Sequence, residues 1–167
     1  MKIYTIGHST RNYGEFVEIL KQYNIKLVVD VRKFPKSKRF PHFCKENLEK
    51  ELPQDKIQYI NFPQLGGFRK EGYLVFSQSN EFVDYIKELK EKVNGRNSVI
   101  FCAEILWWRC HRKYIAKTLS KEGYRVIHIF EKNKIQEHIS AEKEIKEKMN
   151  FKIFCDKKRK IFRYNEI

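Results

Sequence analysis

The sequence predicts an α/β protein with three layers, in which a mainly parallel five-stranded sheet carries helices on both faces. Two observations predict this class. Short β-branched apolar runs recur along the chain, and segments with the apolar spacing of amphipathic helices separate them. Strands and helices that alternate in this way form parallel sheets through right-handed crossovers. The last residues predict a C-terminal helix and a short β-hairpin after the sheet.

Five apolar runs predict the strands, over residues 2–6, 26–31, 57–62, 98–102 and 125–130. The second run, KLVVDV, is rich in β-branched residues and is typical of a strand that is buried on both faces. Helical periodicity lies between the strands, over residues 16–23, 48–52, 82–93 and 115–119. Ser79 or Asn80 is a natural N-cap for the third helix, and Gly123 is a natural C-terminal cap for the fourth. The C-terminal helix is expected over 141–150 and the hairpin over 151–164.

Length and composition limit the class of protein. The 167 residues fit one domain, 1–167, and an apolar share of 41% is typical of a packed fold. No apolar run approaches the ~20 residues of a membrane span, so no membrane partner is expected. The start of the chain, MKIYTIGHST, predicts a strand rather than a secretion signal, which favours a cytoplasmic protein with reduced cysteines.

The chain is strongly basic, with 35 basic and 21 acidic residues and a formal charge of +14. Such a charge attracts polyanions, and a nucleic acid or nucleotide is the first candidate partner. A lysine-rich surface without a partner is the alternative. Two clusters concentrate the charge, KFPKSKR at 33–39 and DKKRK at 156–160. A homodimer, paired through the C-terminal hairpin, is also open.

Polar side chains follow the ends of four predicted strands. Because parallel strands direct their carboxyl ends to one edge of a sheet, these side chains are expected to line a shared cleft. The candidate catalytic residues are His8, Asp30, Cys102, Glu104, Cys110 and His111. The candidate substrate ligands are Ser9, Thr10, Arg32, Arg39, Gly66, Gly67, Arg69, Trp107, Trp108 and Arg112.

The catalytic candidates allow more than one chemistry. A helix N-terminus and Arg112 would lower the pKa of the Cys110 thiol and favour a thiolate nucleophile. Glu104, in a partly apolar pocket with the tryptophans, would have a raised pKa and act as a general acid or base. Cys102 ends an apolar strand, as a small core residue also does. Which sulfur reacts stays open.

The ligand candidates have structural alternatives. Asp30 and Arg32 could form a buried pair, the two tryptophans could anchor a loop or stack on a base, and the glycine pair could serve a turn or bind an anion. His128 and His138 have no comparable neighbours in the sequence and are expected to be structural or surface groups.

No cofactor is expected, and zinc is the alternative. Cys102, Cys110, His111 and His8 supply four ligands of suitable type. Their spacing matches no standard zinc finger, and adjacent Cys110 and His111 are expected to chelate poorly together.

The motifs TIGHST, VVDVRKFPKSKRFPHF, LGG followed by Arg69, and CAE with CHRKYIAKTL resemble the family of domain of unknown function 488. The resemblance covers about residues 3–130 and leaves 131–167 as a basic extension. It implies an architecture and a site, made of the strand-end residues named above, but no established reaction. Family members often have a proline in the loop after CAE, where this chain reads ILWWR.

A weaker likeness is to rhodaneses, which also have a D-V-R strand end and a cysteine at another strand end. Here Cys102 would match that nucleophile, although the bulky ILWWRC loop differs from the small residues of a rhodanese loop. Three functions remain open. The first is a hydrolase or lyase that acts on nucleic acid or nucleotides, the second is a cysteine-dependent enzyme for small anions of rhodanese or phosphatase type, and the third is a non-catalytic nucleic-acid-binding module.

Overall fold

The computed structural model of the protein describes residues 1–139. The strands are β1 (Lys2–Gly7), β2 (Leu27–Asp30), β3 (Gln58–Asn61), β4 (Ser98–Cys102), β5 (Arg125–Glu131) and β6 (Lys134–Glu137). The helices are α1 (Tyr13–Gln22), α2 (Lys45–Glu51), α3 (Tyr73–Phe76), α4 (Asn80–Val93) and α5 (Arg112–Lys121). Single 3-10 turns cover Pro41–Phe43, Leu52–Asp55, Pro63–Leu65 and Trp107–Arg109.

The strands form one sheet in the order β3-β2-β4-β1-β5-β6. The first five are parallel, as the sequence predicts, and β6 is antiparallel to β5. The register aligns the strand ends: Gly7 faces Cys102, and Asp30 faces Phe101. Their polar successors therefore reach the same edge of the sheet.

Helices cover both faces, and this confirms the three-layer α/β fold. Apolar side chains of α1 and α2 pack on one face of the sheet in a single core with alternate residues of β1, β2 and β4. Side chains of α4 and α5 pack on the other face in a second core. The N-caps of α1 and α4 are Asn12 and Ser79, whose side chains accept hydrogen bonds from the backbone amides of Glu15 and Phe82.

Two elements differ from the prediction. The described sheet has six strands rather than five, because β6 has the sequence KIQE with four exposed residues and therefore carries no apolar signal. The single turn of α3 begins after Gly72 in a stretch that reads as a loop. The predicted helix over 141–150 and hairpin over 151–164 lie outside the described residues. None of the helices in residues 1–139 combines the length and the apolar character that crossing a bilayer requires.

Candidate active site

A cleft of about 330 Å³ lies at the carboxyl edge of the sheet, where the loops after β2, β3 and β4 meet. β2 and β4 are neighbours, but the helices that follow them pack on opposite faces of the sheet. Such a reversal is where open α/β sheets form a ligand crevice. The cleft is lined by Arg32, Lys33, Phe34, Gly67, Phe68, Cys102, Ala103, Glu104, Arg109, Cys110 and His111.

Two thiols and an imidazole meet in this cleft. The sulfur atoms of Cys102 and Cys110 and one ring nitrogen of His111 all lie within 4.8 Å of one another. Cys110 Sγ is 3.7 Å from His111 Nδ1. β4 ends at Cys102, and the loop over 103–109 turns back to bring Cys110 beside it. Both cysteines are otherwise buried, and both line the cleft.

The two thiols differ in their affinity for a proton. The pKa of Cys110 lies well below that of a free cysteine, because the Cys102 thiol donates a hydrogen bond to its sulfur and because His111 and Arg112 stabilise the anion. The same hydrogen bond and burial raise the pKa of Cys102. These two directions favour the anion on Cys110 and the proton on Cys102.

The buried guanidinium of Arg112 lies directly behind the thiolate. Arg112 is 1% exposed, and its Nε donates to Cys110 Sγ over 3.4 Å. Its other nitrogens donate to Thr5 Oγ1 and to the backbone carbonyls of Glu104 and Ile105. Among residues 1–139, no carboxylate forms an ion pair with it. Of the groups that Arg112 contacts through these hydrogen bonds, the Cys110 sulfur is the one that can carry a negative charge, and the guanidinium lowers its pKa.

A chain of hydrogen bonds holds Arg112 from the other side. Because an arginine can only donate, Thr5 Oγ1 accepts from Arg112 Nη1 over 3.3 Å and gives its own proton to His128 Nδ1 over 2.8 Å. His128 is neutral, since burial lowers its pKa to about 2, so its Nε2 donates to His138 Nδ1 over 3.0 Å. His128 is thus a structural group, as expected, although both histidines have polar neighbours that the sequence does not indicate. The signal was absent because the contacts join separate strands.

Arg32 lines the cleft and also forms a buried ion pair with Asp30. Arg32 Nε and Nη2 donate to Asp30 Oδ1 and Oδ2 over 2.8 and 2.6 Å, and the Tyr59 hydroxyl donates to Oδ2 over 2.7 Å. Asp30 is fully buried and does not line the cleft, so its predicted catalytic role has no geometric support. Arg32 Nη1 has no hydrogen-bond partner among the described residues and is available to a ligand in the cleft.

His8 is also placed away from the cleft. Its ring stacks on Phe43 at 4.4 Å between centroids, and its Nδ1 is 2.8 Å from the carbonyl of Ser9. Burial lowers the pKa of His8 to about 4, so the imidazole is neutral at neutral pH. Neither His8 nor its neighbours Ser9 and Thr10 line the cleft. The structure thus gives His8 a packing role rather than contact with a ligand.

Glu104 lines the cleft, but not in the environment that the sequence predicts. It is exposed, and its Oε1 accepts a hydrogen bond from the Leu106 amide over 2.9 Å. The expected apolar pocket with the tryptophans does not form. The amides of Arg109 and Cys110 donate to backbone carbonyls of the same loop over 3.0 and 3.2 Å. They are not free to surround an anion, as the amides of a rhodanese loop are.

The tryptophans and Arg39 lie outside the cleft. Trp107 stacks on His128 with 4.2 Å between ring centroids, and Trp108 contacts Trp107 and Phe130. Arg39 lies over its neighbour Phe40. The anchoring alternative for the two tryptophans is therefore the one that the contacts support.

Arg69 and the glycine pair organise the loop after β3. Arg69 donates to the carbonyls of Gln64 and Gly66 and covers the ring of Phe76, beside a separate hollow. Gly66 and Gly67 serve close packing: a Cβ on the first would lie 2.9 Å from the Lys33 amide nitrogen, and one on the second 3.2 Å from His111 Nδ1. Only Gly67 of this group lines the cleft.

Five cleft residues were missed from the sequence: Lys33, Phe34, Phe68, Ala103 and Arg109. Lys33 and Phe34 belong to the basic stretch at 33–39. Phe68 follows the glycine pair, and Arg109 precedes Cys110. Exposed loop residues have no periodicity, so only their position next to predicted site residues could have suggested them.

The two cleft cysteines and His111 could hold a soft divalent metal such as zinc. Cys102, Cys110 and His111 offer three ligand atoms, and the structure brings Cys110 and His111 together despite the expectation that they chelate poorly. His8 is not part of the group. His111 Nε2 is buried without a hydrogen-bond partner in residues 1–139, whereas histidine ligands usually have such an outer partner.

Comparison with known families identifies the chain. The model described as "Domain of unknown function DUF488" matches residues 12–119, which are 108 of the 167 residues. The chain belongs to the DUF488 family. This confirms the resemblance noted in the sequence, and the matched segment contains both cleft cysteines, His111 and Arg112. The TIGHST motif of β1 precedes the segment. A search among curated proteins gives no match. Family membership therefore supports the architecture and leaves the reaction to be argued from the cleft.

Proposed function

We propose that this DUF488 protein is a cysteine-dependent enzyme in which the Cys110 thiolate attacks an anionic substrate bound in the cleft. The observation that carries the proposal is the buried Arg112 guanidinium, whose anionic partner within residues 1–139 is the Cys110 sulfur. Stability alone is a weak reason for such a pair, because well-packed apolar residues serve as well. A structural buried cysteine is instead a neutral, inert thiol.

Cationic side chains bind the substrate anion in this proposal. Arg32, Lys33 and Arg109 line the cleft, and Glu104 is the one acidic side chain among its lining residues. The amides of Arg109 and Cys110 already donate hydrogen bonds to carbonyls of their own loop. The side-chain cations therefore bind the anion, a role that backbone amides have in rhodaneses. Arginine suits this role because its planar donors match the oxygens of a phosphate or sulfonate.

The reaction class is transfer of a group to sulfur. Cys110 Sγ forms a bond to an electrophilic phosphorus or sulfane sulfur, and the bond to the leaving group breaks. The leaving group departs with that electron pair and takes a proton from water. Water then removes a phosphoryl group as phosphate, or an acceptor such as a thiolate takes up a sulfane sulfur, and either step restores the Cys110 thiolate. Cys102 keeps its proton throughout and stabilises the resting thiolate through its S–H hydrogen bond.

The mechanism differs from the general acid–base catalysis expected of the hydrolase or lyase that the sequence favours. That alternative uses Glu104 together with His8 or Asp30 for proton transfer, and neither His8 nor Asp30 lines the cleft. Glu104 does line it, but the proposal needs no carboxylate as a base because the nucleophile is already ionised.

The test is the pH dependence of alkylation by iodoacetamide, followed for each cysteine by mass spectrometry of the full chain. We expect Cys110 to react at a rate that stays constant down to acidic pH. Cys102→Ser should move the midpoint of Cys110 alkylation towards higher pH. A serine hydroxyl is shorter and less acidic than a thiol, so it donates a weaker hydrogen bond to the thiolate. The matched control is Cys44→Ser, which changes a half-buried thiol outside the cleft.

Two outcomes would count against the proposal. One is a Cys110 whose alkylation has the midpoint of a free thiol, about pH 8.5. The other is a Cys110→Ser protein in which another cysteine is still alkylated rapidly at acidic pH.

Zinc chemistry is the second candidate, and the three ligand atoms within 4.8 Å favour it. Metal analysis of purified protein and zinc titration distinguish the two functions. A zinc enzyme would contain stoichiometric metal, lose it in Cys110→Ser, and resist alkylation until a chelator is added. The thiolate enzyme would be alkylated at the same rate with and without chelator.

A further inference from the structure

Two phenylalanines stand exposed at the cleft that contains the thiolate. Phe34 is 67% exposed and Phe68 is 85% exposed, and both line the cleft. Their ring centroids are 5.8 Å apart with 61° between the planes. An exposed pair of large apolar side chains gains little from burial in the folded chain, so it is the kind of feature that marks a binding surface.

The loops that carry the two rings are locked together. Gly66 packs against the backbone of Lys33, and Gly67 packs against the ring of His111, so tightly that a Cβ at either position would force a shift. Phe34 and Phe68 are the next residues along these two segments. Phe68 also has a positive φ of 56°, a conformation that costs a bulky residue free energy. The fold thus maintains a defined aromatic pair at a cost, without burying it.

The positive charge around the two phenylalanine rings favours an anionic ligand. Arg32, Lys33 and Arg109 share the cleft with the rings, and the whole chain carries a formal charge of +14. Arginine and lysine beside exposed aromatics are the combination that binds phosphate and stacks a base.

We propose that Phe34 and Phe68 form a base-stacking subsite, and that the anionic substrate of the cleft is a nucleotide unit. The inference rests on the proposed function of the same cleft. One ring stacks on the base while the cations hold its phosphate close to Cys110. The shared chemistry is a nucleobase with an attached phosphate, supplied by a free nucleotide or by single-stranded nucleic acid.

The experiment compares the affinity of matched ligands for the full chain by calorimetry. Adenosine 5′-monophosphate is paired with ribose 5-phosphate, which lacks the base. A short thymidine oligonucleotide is paired with an abasic oligonucleotide of the same length. We expect the base-bearing member of at least one pair to bind about 10-fold more tightly, the size of one stacking contact. The pair with the larger ratio identifies the source of the nucleotide.

Variants tie this preference to the two rings. Phe34→Leu and Phe68→Leu keep an apolar side chain and should remove most of the 10-fold preference. Trp108→Leu is the control, because it changes a 45% exposed aromatic residue that does not line the cleft. It should keep the preference.

Failure of this inference differs from failure of the proposed function. Equal affinity for base-bearing and base-free ligands would contradict the base-stacking subsite. Phenyl phosphate that binds as tightly as adenosine 5′-monophosphate would contradict it as well. Cys110 would still be alkylated at acidic pH in that case, and the thiolate enzyme would stand. Conversely, Cys110→Ser should keep the binding preference, since the sulfur does not contact the base.

Discussion

Arg112 Nε donates to Cys110 Sγ over 3.4 Å, and this contact joins the most buried arginine of residues 1–139 to the proposed nucleophile. The guanidinium is 1% exposed and comes from the first residue of α5. The thiol sits two residues before the helix, in an extended conformation. Cation and anion thus stabilise each other, and loss of either one leaves the other buried alone.

Arg112→Met removes the cation. We expect the pKa of Cys110 to rise, so that the midpoint of its alkylation moves by about 1–3 pH units to higher pH, because the anion loses its nearest charge. We also expect the free energy of unfolding to fall by about 3 kcal/mol, as for a broken buried pair. Lys117→Met, which removes an exposed cation of the same helix, is the control for both measurements. An Arg112→Met protein with the alkylation profile of the control would contradict the pairing.

Thr5→Val removes the hydroxyl that links Arg112 to His128. The valine has nearly the same shape, so the change leaves Arg112 Nη1 and His128 Nδ1 buried without that partner. We expect a loss of about 1–3 kcal/mol in the free energy of unfolding by urea. Thr5→Ser keeps the hydroxyl and should keep most of the stability. If serine and valine destabilise equally, the hydroxyl link does not contribute.

Much of this architecture can be read from the sequence, because burial on both faces leaves a plain signal. β4 matches its prediction at both ends, and the other parallel strands agree within one or two residues. The meeting of strand ends at one edge follows from parallel topology alone. β6 is not predicted, because its residues KIQE are all exposed and give no apolar pattern.

The inner arrangement of the site is less predictable, since it depends on contacts across strands. Asp30 and Arg32 share one strand end, but only the coordinates show that both carboxylate oxygens are occupied, by Arg32 and Tyr59. Arg112 helps to lower the pKa of Cys110, and the side chain of Arg112 is held by a hydrogen bond to Thr5 on β1. No local pattern connects these residues.

Acidic pH should weaken the fold through His8 and His128. Burial lowers the pKa of His8 to about 4 and that of His128 to about 2. Above about pH 6.5 both histidines are neutral whether the chain is folded or unfolded, and they add no pH dependence. Below it the unfolded chain binds protons that the folded chain does not. The free energy of unfolding therefore falls as the pH falls, by about 1.4 kcal/mol per pH unit for each histidine.

Urea unfolding between about pH 4.5 and 8 measures this dependence. His8→Phe keeps a ring against Phe43 and removes one titrating group, so its slope below pH 6.5 should be shallower by about 1.4 kcal/mol per pH unit. Parallel curves for the variant and the unchanged protein over this range would show that His8 is protonated in the folded state.

Gly7→Ala tests the packing that positions the loop before Cys110. A Cβ at Gly7 would overlap the backbone carbonyl of Glu104, which also accepts a hydrogen bond from Arg112. We expect a loss of about 1–3 kcal/mol in the free energy of unfolding, together with slower alkylation of Cys110. Gly14→Ala is the control, because a Cβ there has only an ordinary contact at 3.4 Å in α1. It should be neutral or mildly stabilising. Equal stability of the two variants would contradict the close approach.

The most direct measurement is the ultraviolet absorbance of thiolate at about pH 6, where an ordinary cysteine is less than about 1% ionised. The comparison is between the unchanged protein and Cys110→Ser. We predict that the unchanged protein has the absorbance of one thiolate per chain and that Cys110→Ser lacks it. Equal absorbance of the two proteins would contradict the account, because Cys110 would then be a protonated thiol.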